Sequence, residues 1–98
     1  MPGQSHEVRE FSIDNELGLH LRAASKFAQL ASKFQCEVWV YKDGTEVNGK
    51  SIMGVLSLAA GCGTRIRVRV EGDDAPAAMK ALAQRALACR TAAEVRAL

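Results

Sequence analysis

Along the chain the spacing of apolar residues changes period repeatedly, and each change marks an element. Phe11 and Ile13 alternate with Glu10 and Ser12, which predicts a short half-buried strand. Asp14 to Gly18 is a turn-forming stretch that ends in a flexible glycine. From Leu21 the period lengthens. Ala24, Phe27, Ala28, Ala31 and Phe34 recur at three- and four-residue steps, the apolar stripe of a helix. Cys36 to Lys42 returns to alternation, with Val38 and Val40 on one face and Glu37, Trp39 and Tyr41 on the other. Asp43-Gly44 fits a two-residue hairpin loop, whose twist demands residues that accept positive φ, so Thr45 to Val47 pairs back antiparallel.

Asn48-Gly49-Lys50-Ser51 then leads into an apolar segment from Ile52 to Ala60. Ser51 stands where a helix N-cap belongs, and Gly61 and Gly63 where the helix should stop. Arg65 to Glu71 alternates strictly, with Ile66, Val68 and Val70 inward and Arg65, Arg67 and Arg69 outward. Gly72 opens the way to a last helix, capped by Asp73 or Asp74, with Pro76 in its first turn. Met79, Leu82, Ala83, Ala86 and Leu87 share its buried face.

The order is strand, helix, strand, strand, helix, strand, helix. Every strand carries one apolar and one polar face, so all the helices must cover the same side of an antiparallel sheet. The expected fold is α+β, an open-faced two-layer sandwich of four antiparallel strands under three helices. It fills one domain over residues 1–98, with its core over about residues 7–88; residues 89–98 extend the last helix or fray.

Composition narrows the function without naming it. The chain has 98 residues, 48% of them hydrophobic and 24% charged, the balance of an ordinary globular domain. A net charge of +2 points neither to nucleic acid nor to a membrane surface. No apolar run approaches a membrane span, and the polar Met1 to Glu10 stretch is unlike a signal peptide. Cys36, Cys62 and Cys89 are odd in number and far apart, so no disulfide framework or metal site is expected and a reducing cytoplasm fits best.

Three groups of residues could carry chemistry. The first is Gly18-Leu19-His20-Leu21-Arg22. His20 falls at a strand-to-helix junction, where the free amides of the coming helix favour an anion, and Arg22 can set a guanidinium beside the same point. Gly18 permits close approach of another chain. The set suits a phosphoryl acceptor better than a metal ligand, which would need further His, Cys or carboxylate partners. Equally, His20 can be a simple helix cap with Arg22 as a solvated neighbour. The second group is Asn48 to Gly54. Ser51 can cap its helix, or carry a phosphate that the helix dipole tolerates. Ile52 and Met53 beside it are either core residues or a docking patch. The third group is Trp39, Tyr41, Arg67 and Arg69 on the open sheet face. Such a face can stack nucleic-acid bases, but it lacks the aromatic-rich signature, and packing of arginines on the two rings explains it better. His6 and the cysteines have no partner spacing.

Taken together, the first two groups resemble HPr, the histidine phosphocarrier family of the bacterial phosphotransferase system. The resemblance runs from about Glu7 to Leu87 and includes the element order. It implies that His20 receives a phosphoryl group on Nδ1 from Enzyme I, which draws it from phosphoenolpyruvate, and passes it to an Enzyme II A-type domain. Arg22 matches the arginine that attends that group, and Ser51 matches the serine that a dedicated HPr kinase phosphorylates in some bacteria. Leu21, Lys50, Ile52 and Met53 would form the docking surface of a monomer that needs no cofactor and no metal. An HPr-like regulatory protein controlled through Ser51 is the alternative. One motif departs from the family. The usual order is His-Ala-Arg-Pro, whereas this chain has His20-Leu21-Arg22-Ala23. Loss of the proline leaves the helix start less pre-organised, and Leu21 adds apolar surface beside the histidine.

Overall fold

Alternation of branched apolar and charged residues produces four strands, which the computed structural model joins into one sheet. It describes residues 5–13, 20–58, 61 and 63–87. The strands are β1 (Ser5–Ser12), β2 (Glu37–Lys42), β3 (Thr45–Asn48) and β4 (Arg65–Gly72), in the spatial order β1-β4-β2-β3. All three neighbouring pairs are antiparallel. The helices are α1 (Leu21–Ala31), α2 (Ile52–Ser57) and α3 (Ala75–Ala81), the last continuing as a π-helical turn over Leu82–Leu87.

Register decides which side is buried. Val38 faces Val70, Val40 faces both Val68 and Val47, and Phe11 faces Ile66. Val38, Val40, Ile66, Val68 and Val70 join Ala24, Phe27, Val55, Ala78, Met79 and Leu82 from the helices in a single core. Each large apolar side chain buried there contributes roughly 1.5–3 kcal/mol. Among the described residues no polar or charged side chain is buried. The helices therefore lie on one side and the charged residues of the strands on the other.

The β2–β3 hairpin turns at Asp43 and Gly44 with φ of 50° and 84°, the paired positive values expected of this loop. At Gly49 the reason for glycine is contact. A Cβ there would lie 2.5 Å from Val38 Cγ1, so the backbone packs directly on the core.

Several boundaries differ from the pattern. β1 starts at Ser5, well before Phe11, because pairing with β4 holds it along its whole length. Ile13 lies beyond β1 but is buried, its backbone bonded both ways to the segment before β4: Ile13 N donates to Thr64 O at 2.8 Å and Gly63 N donates to Ile13 O at 2.6 Å. β2 starts at Glu37 and β3 runs to Asn48. Leu30 is buried in α1 although it lies off the predicted stripe, and Phe34, assigned to that stripe, sits past the helix end. Asp74 does occupy the N-cap position of α3, yet its side chain does not cap it. The carboxylate instead accepts from Gln35 N at 2.8 Å and Cys36 N at 2.9 Å, where two amides at the entrance to β2 need partners. The turn at 14–18 with its Gly18, Leu19, the last two residues of the Ile52 to Ala60 segment, Cys62, Cys89 and the tail 89–98 lie outside the described residues, as do the side chains of Ala86 and Leu87.

Candidate functional site

Chain direction brings His20 to the mouth of α1. It is the N-cap residue, extended at φ −78° and ψ 179°, and its carbonyl accepts from Ala24 N at 2.8 Å. The half-buried side chain makes no capping hydrogen bond. The amides of the first helical turn have no partner within the helix, so their partial positive charge lies at the end of the helix that His20 caps. Arg22 follows in the same turn, exposed and with no ion pair among the described residues. No acidic residue occupies that turn. Leu21, between them, is 61% exposed.

The second motif is built by the β3–α2 loop. Gly49 N donates to Val38 O at 2.7 Å, Lys50 N to Asn48 Oδ1 at 2.8 Å and Ser51 N to Asn48 O at 3.1 Å. Ser51 is the N-cap of α2, and its Oγ accepts from Gly54 N at 3.0 Å. α2 packs beside α1. Ile52 rests against the core, whereas Met53 is 71% exposed. Lys50 points inward, its Nζ donating to Phe34 O at 2.8 Å.

The third group behaves as packing chemistry predicts. The Arg67 guanidinium lies 5.2 Å from the Tyr41 ring centre, and that of Arg69 lies 5.6 Å from the Trp39 ring. Arg69 also reaches Glu71 at 2.8 Å and Glu46 at 3.2 Å, and Arg67 reaches Glu10 at 3.3 Å. Both cations are spent within the face. His6 stands 3.9 Å from Glu71.

Among the described residues no cluster of three or more His, Cys, Asp or Glu could hold a metal ion. Nor is any helix among them long and apolar enough to cross a membrane. Burial, with the bond to Asp74 next, pushes the Cys36 thiol up to about 11, so it remains protonated near neutral pH. Asp74 is held below the usual carboxylate range, chiefly by the amide of Gln35. Sequence pattern had no means of finding the Lys50 and Asp74 contacts, because their partners are backbone groups distant in the chain.

Known proteins share this sequence pattern and fold. The family model described as the phosphorylation site of the PTS HPr component matches residues 8–86. The phosphocarrier protein HPr of Neisseria meningitidis serogroup A is 53% identical over 74 residues, covering 76% of this chain and 83% of its own. The HPr-like protein Crh of Halalkalibacterium halodurans is 43% identical over 74 residues, covering 76% of this chain and 88% of its own. A crystal structure of HPr from Thermoanaerobacter tengcongensis superimposes with a TM-score of 0.78 at 44% identity, covering 82% of this chain and 90% of that one. With residues 8–86 matched by the family model and 82% of the chain by a solved HPr structure, the chain belongs to the HPr family of phosphotransferase-system phosphocarrier proteins.

Proposed function

We propose that His20 is the phosphoacceptor and that the chain shuttles the phosphoryl group from Enzyme I to an Enzyme II A-type domain. One observation carries this reading: in a chain of the HPr family, His20 is the N-cap of α1 with Arg22 in the first turn behind it. In the forward step the lone pair of neutral Nδ1 attacks phosphorus, a P–N bond forms, and the bond to the Enzyme I donor atom breaks with its electron pair returning to that atom. The first-turn amides and Arg22 face the new dianion. These contacts are exposed and weak, which suits a carrier, since tight binding would trap the group. Leu21, Ile52 and Met53 supply apolar surface for small, short-lived encounters with both partners.

Ser51 is the proposed regulatory site. A phosphoryl group there adds about −1.5 to −2 charge at the start of α2, where the dipole accepts it, and beside Met53, where a partner would have to desolvate it. A regulatory protein working through Ser51 alone is the second reading, favoured by the likeness to Crh.

Incubation with Enzyme I and phosphoenolpyruvate separates them. Acid-labile phosphate should form on the wild type and be absent from His20→Ala. Label retained by His20→Ala excludes His20, and no label on the wild type leaves the Ser51 reading.

A further inference from the structure

The sequence sets Lys50 beside Ser51, where an outward ammonium would meet a partner. The fold turns it the other way. Its Nζ donates to the Phe34 carbonyl at 2.8 Å in a part-buried contact. Phe34 lies in the turn just past α1, and the next two residues of that turn, Gln35 and Cys36, give their amides to Asp74 at 2.8 and 2.9 Å. A cation on its carbonyl and an anion on its amides thus grip the same turn. At the other end of the Lys50 stem, the loop backbone is held by Val38 O and by both oxygens of Asn48. The side chain therefore spans from the loop that presents Ser51 and Met53 to the end of the helix that begins at His20.

We propose that Lys50 is a positioning residue: its ammonium, bonded to the Phe34 carbonyl, seats the Ser51-Ile52-Met53 segment against the end of α1 and does not itself meet a partner. A charge-assisted bond of this kind is stronger than a neutral one, and drawing the ammonium away would leave a part-buried carbonyl unpaired. The exposed Met53 is preset by this strap, which lowers the ordering cost of docking. It also follows that the neighbouring cation does not neutralise a phosphoryl group on Ser51, whose charge then faces the partner in full.

The inference rests on the carrier reading, and the experiment keeps the two apart. In Lys50→Met the KM for transfer from Enzyme I should rise about five- to tenfold with kcat held, because docking geometry and not chemistry is disturbed. Its KM should keep the wild-type dependence on salt, since no interfacial charge is lost. Lys50→Arg should recover most of the loss. The Gln35 amide nitrogen, which shares a peptide group with the Phe34 carbonyl, should shift in Lys50→Met. In the unaltered protein, reductive methylation should modify Lys50 more slowly than the exposed Lys33 and Lys80, a measurement that holds even if the variant folds poorly. A flattened salt dependence in Lys50→Met, an unmoved Gln35 signal, or methylation of Lys50 as fast as Lys33 would each overturn the proposal. No transfer to the wild type overturns the carrier reading instead, and the Gln35 shift and methylation rate then decide on Lys50.

Discussion

On the open face of the sheet, Arg69 divides its guanidinium between Glu46 and Glu71 while lying over Trp39, and Arg67 lies over Tyr41 while reaching Glu10. On the helical side, Arg22 has no ion pair among the described residues, and Leu21 and Met53 leave 61% and 71% of their surface in water. Both regions contain arginines and large apolar groups. They differ in whether those groups have found partners within the chain. A cation already stacked and paired gains little from a new ligand, because binding must first break what it has. An exposed cation and exposed apolar side chains at a helix start gain all of theirs from a partner. Composition cannot separate the two faces, since the same residue types occur on each.

The sharpest way to break this comparison is to place a charge on the helical side. Ser51→Asp should lower kcat/KM for transfer from Enzyme I by about 3 kcal/mol, or roughly a hundredfold, because the carboxylate must be desolvated beside Met53. Aspartate caps a helix as well as serine, so the melting temperature should hold, whereas Ser51→Ala should cost about 1 kcal/mol of stability with transfer intact. Denaturant melts and transfer rates on the three proteins decide it; a mimic that transfers normally makes Ser51 a cap only.

A smaller effect is expected at Arg22. Loss of one exposed charge-assisted contact to the phosphoryl group in Arg22→Ala should slow transfer by about tenfold while leaving the fold unchanged. Stopped-flow transfer kinetics test this, and a wild-type rate would make Arg22 a solvated neighbour.

The open face should answer in the opposite way. Trp39→Ala and Arg69→Ala should each change transfer less than about twofold, yet each loses a cation–π contact that contributes roughly 0.5–1 kcal/mol to stability. Urea midpoints measured beside transfer rates would show this. A large loss of transfer from either variant would mean that the sheet face also meets a partner.

The least effect concerns Asp74, which serves neither face. Its carboxyl is held below the ordinary range by amides of the α1–β2 turn. A depressed native pKa stabilises the fold above the unfolded value of about 3.9, and that stability is lost as pH falls through the native pKa. Asp74→Asn should therefore lower the melting temperature near pH 7 by a few degrees, and its gap to wild type should close in acid. Thermal melts from pH 7 to pH 2 check the sign; a constant gap would show that the clasp does not depend on charge.

Much of this molecule was legible before folding. Alternation at Val38, Val40, Ile66, Val68 and Val70 named the inner face, and all five are buried. Asp43-Gly44 named its turn, and Ser51 its cap. These are local properties: a period of two, a positive φ, a hydroxyl three residues ahead of an amide. They are written in neighbouring residues and survive in any fold that contains them. Tertiary structure alone decided the strand order β1-β4-β2-β3, which sets Phe11 opposite Ile66. It also sent Asp74 to the amides of Gln35 and Cys36 instead of its own helix, and Lys50 to the Phe34 carbonyl. The physical reason is the same in each case. A side chain takes the unpaired backbone group that packing brings nearest, and a backbone amide or carbonyl far along the chain leaves no mark in the pattern of residues. Sequence motifs therefore singled out His20, Arg22 and Ser51 as candidates, while packing determined which neighbouring charges are already engaged within the chain.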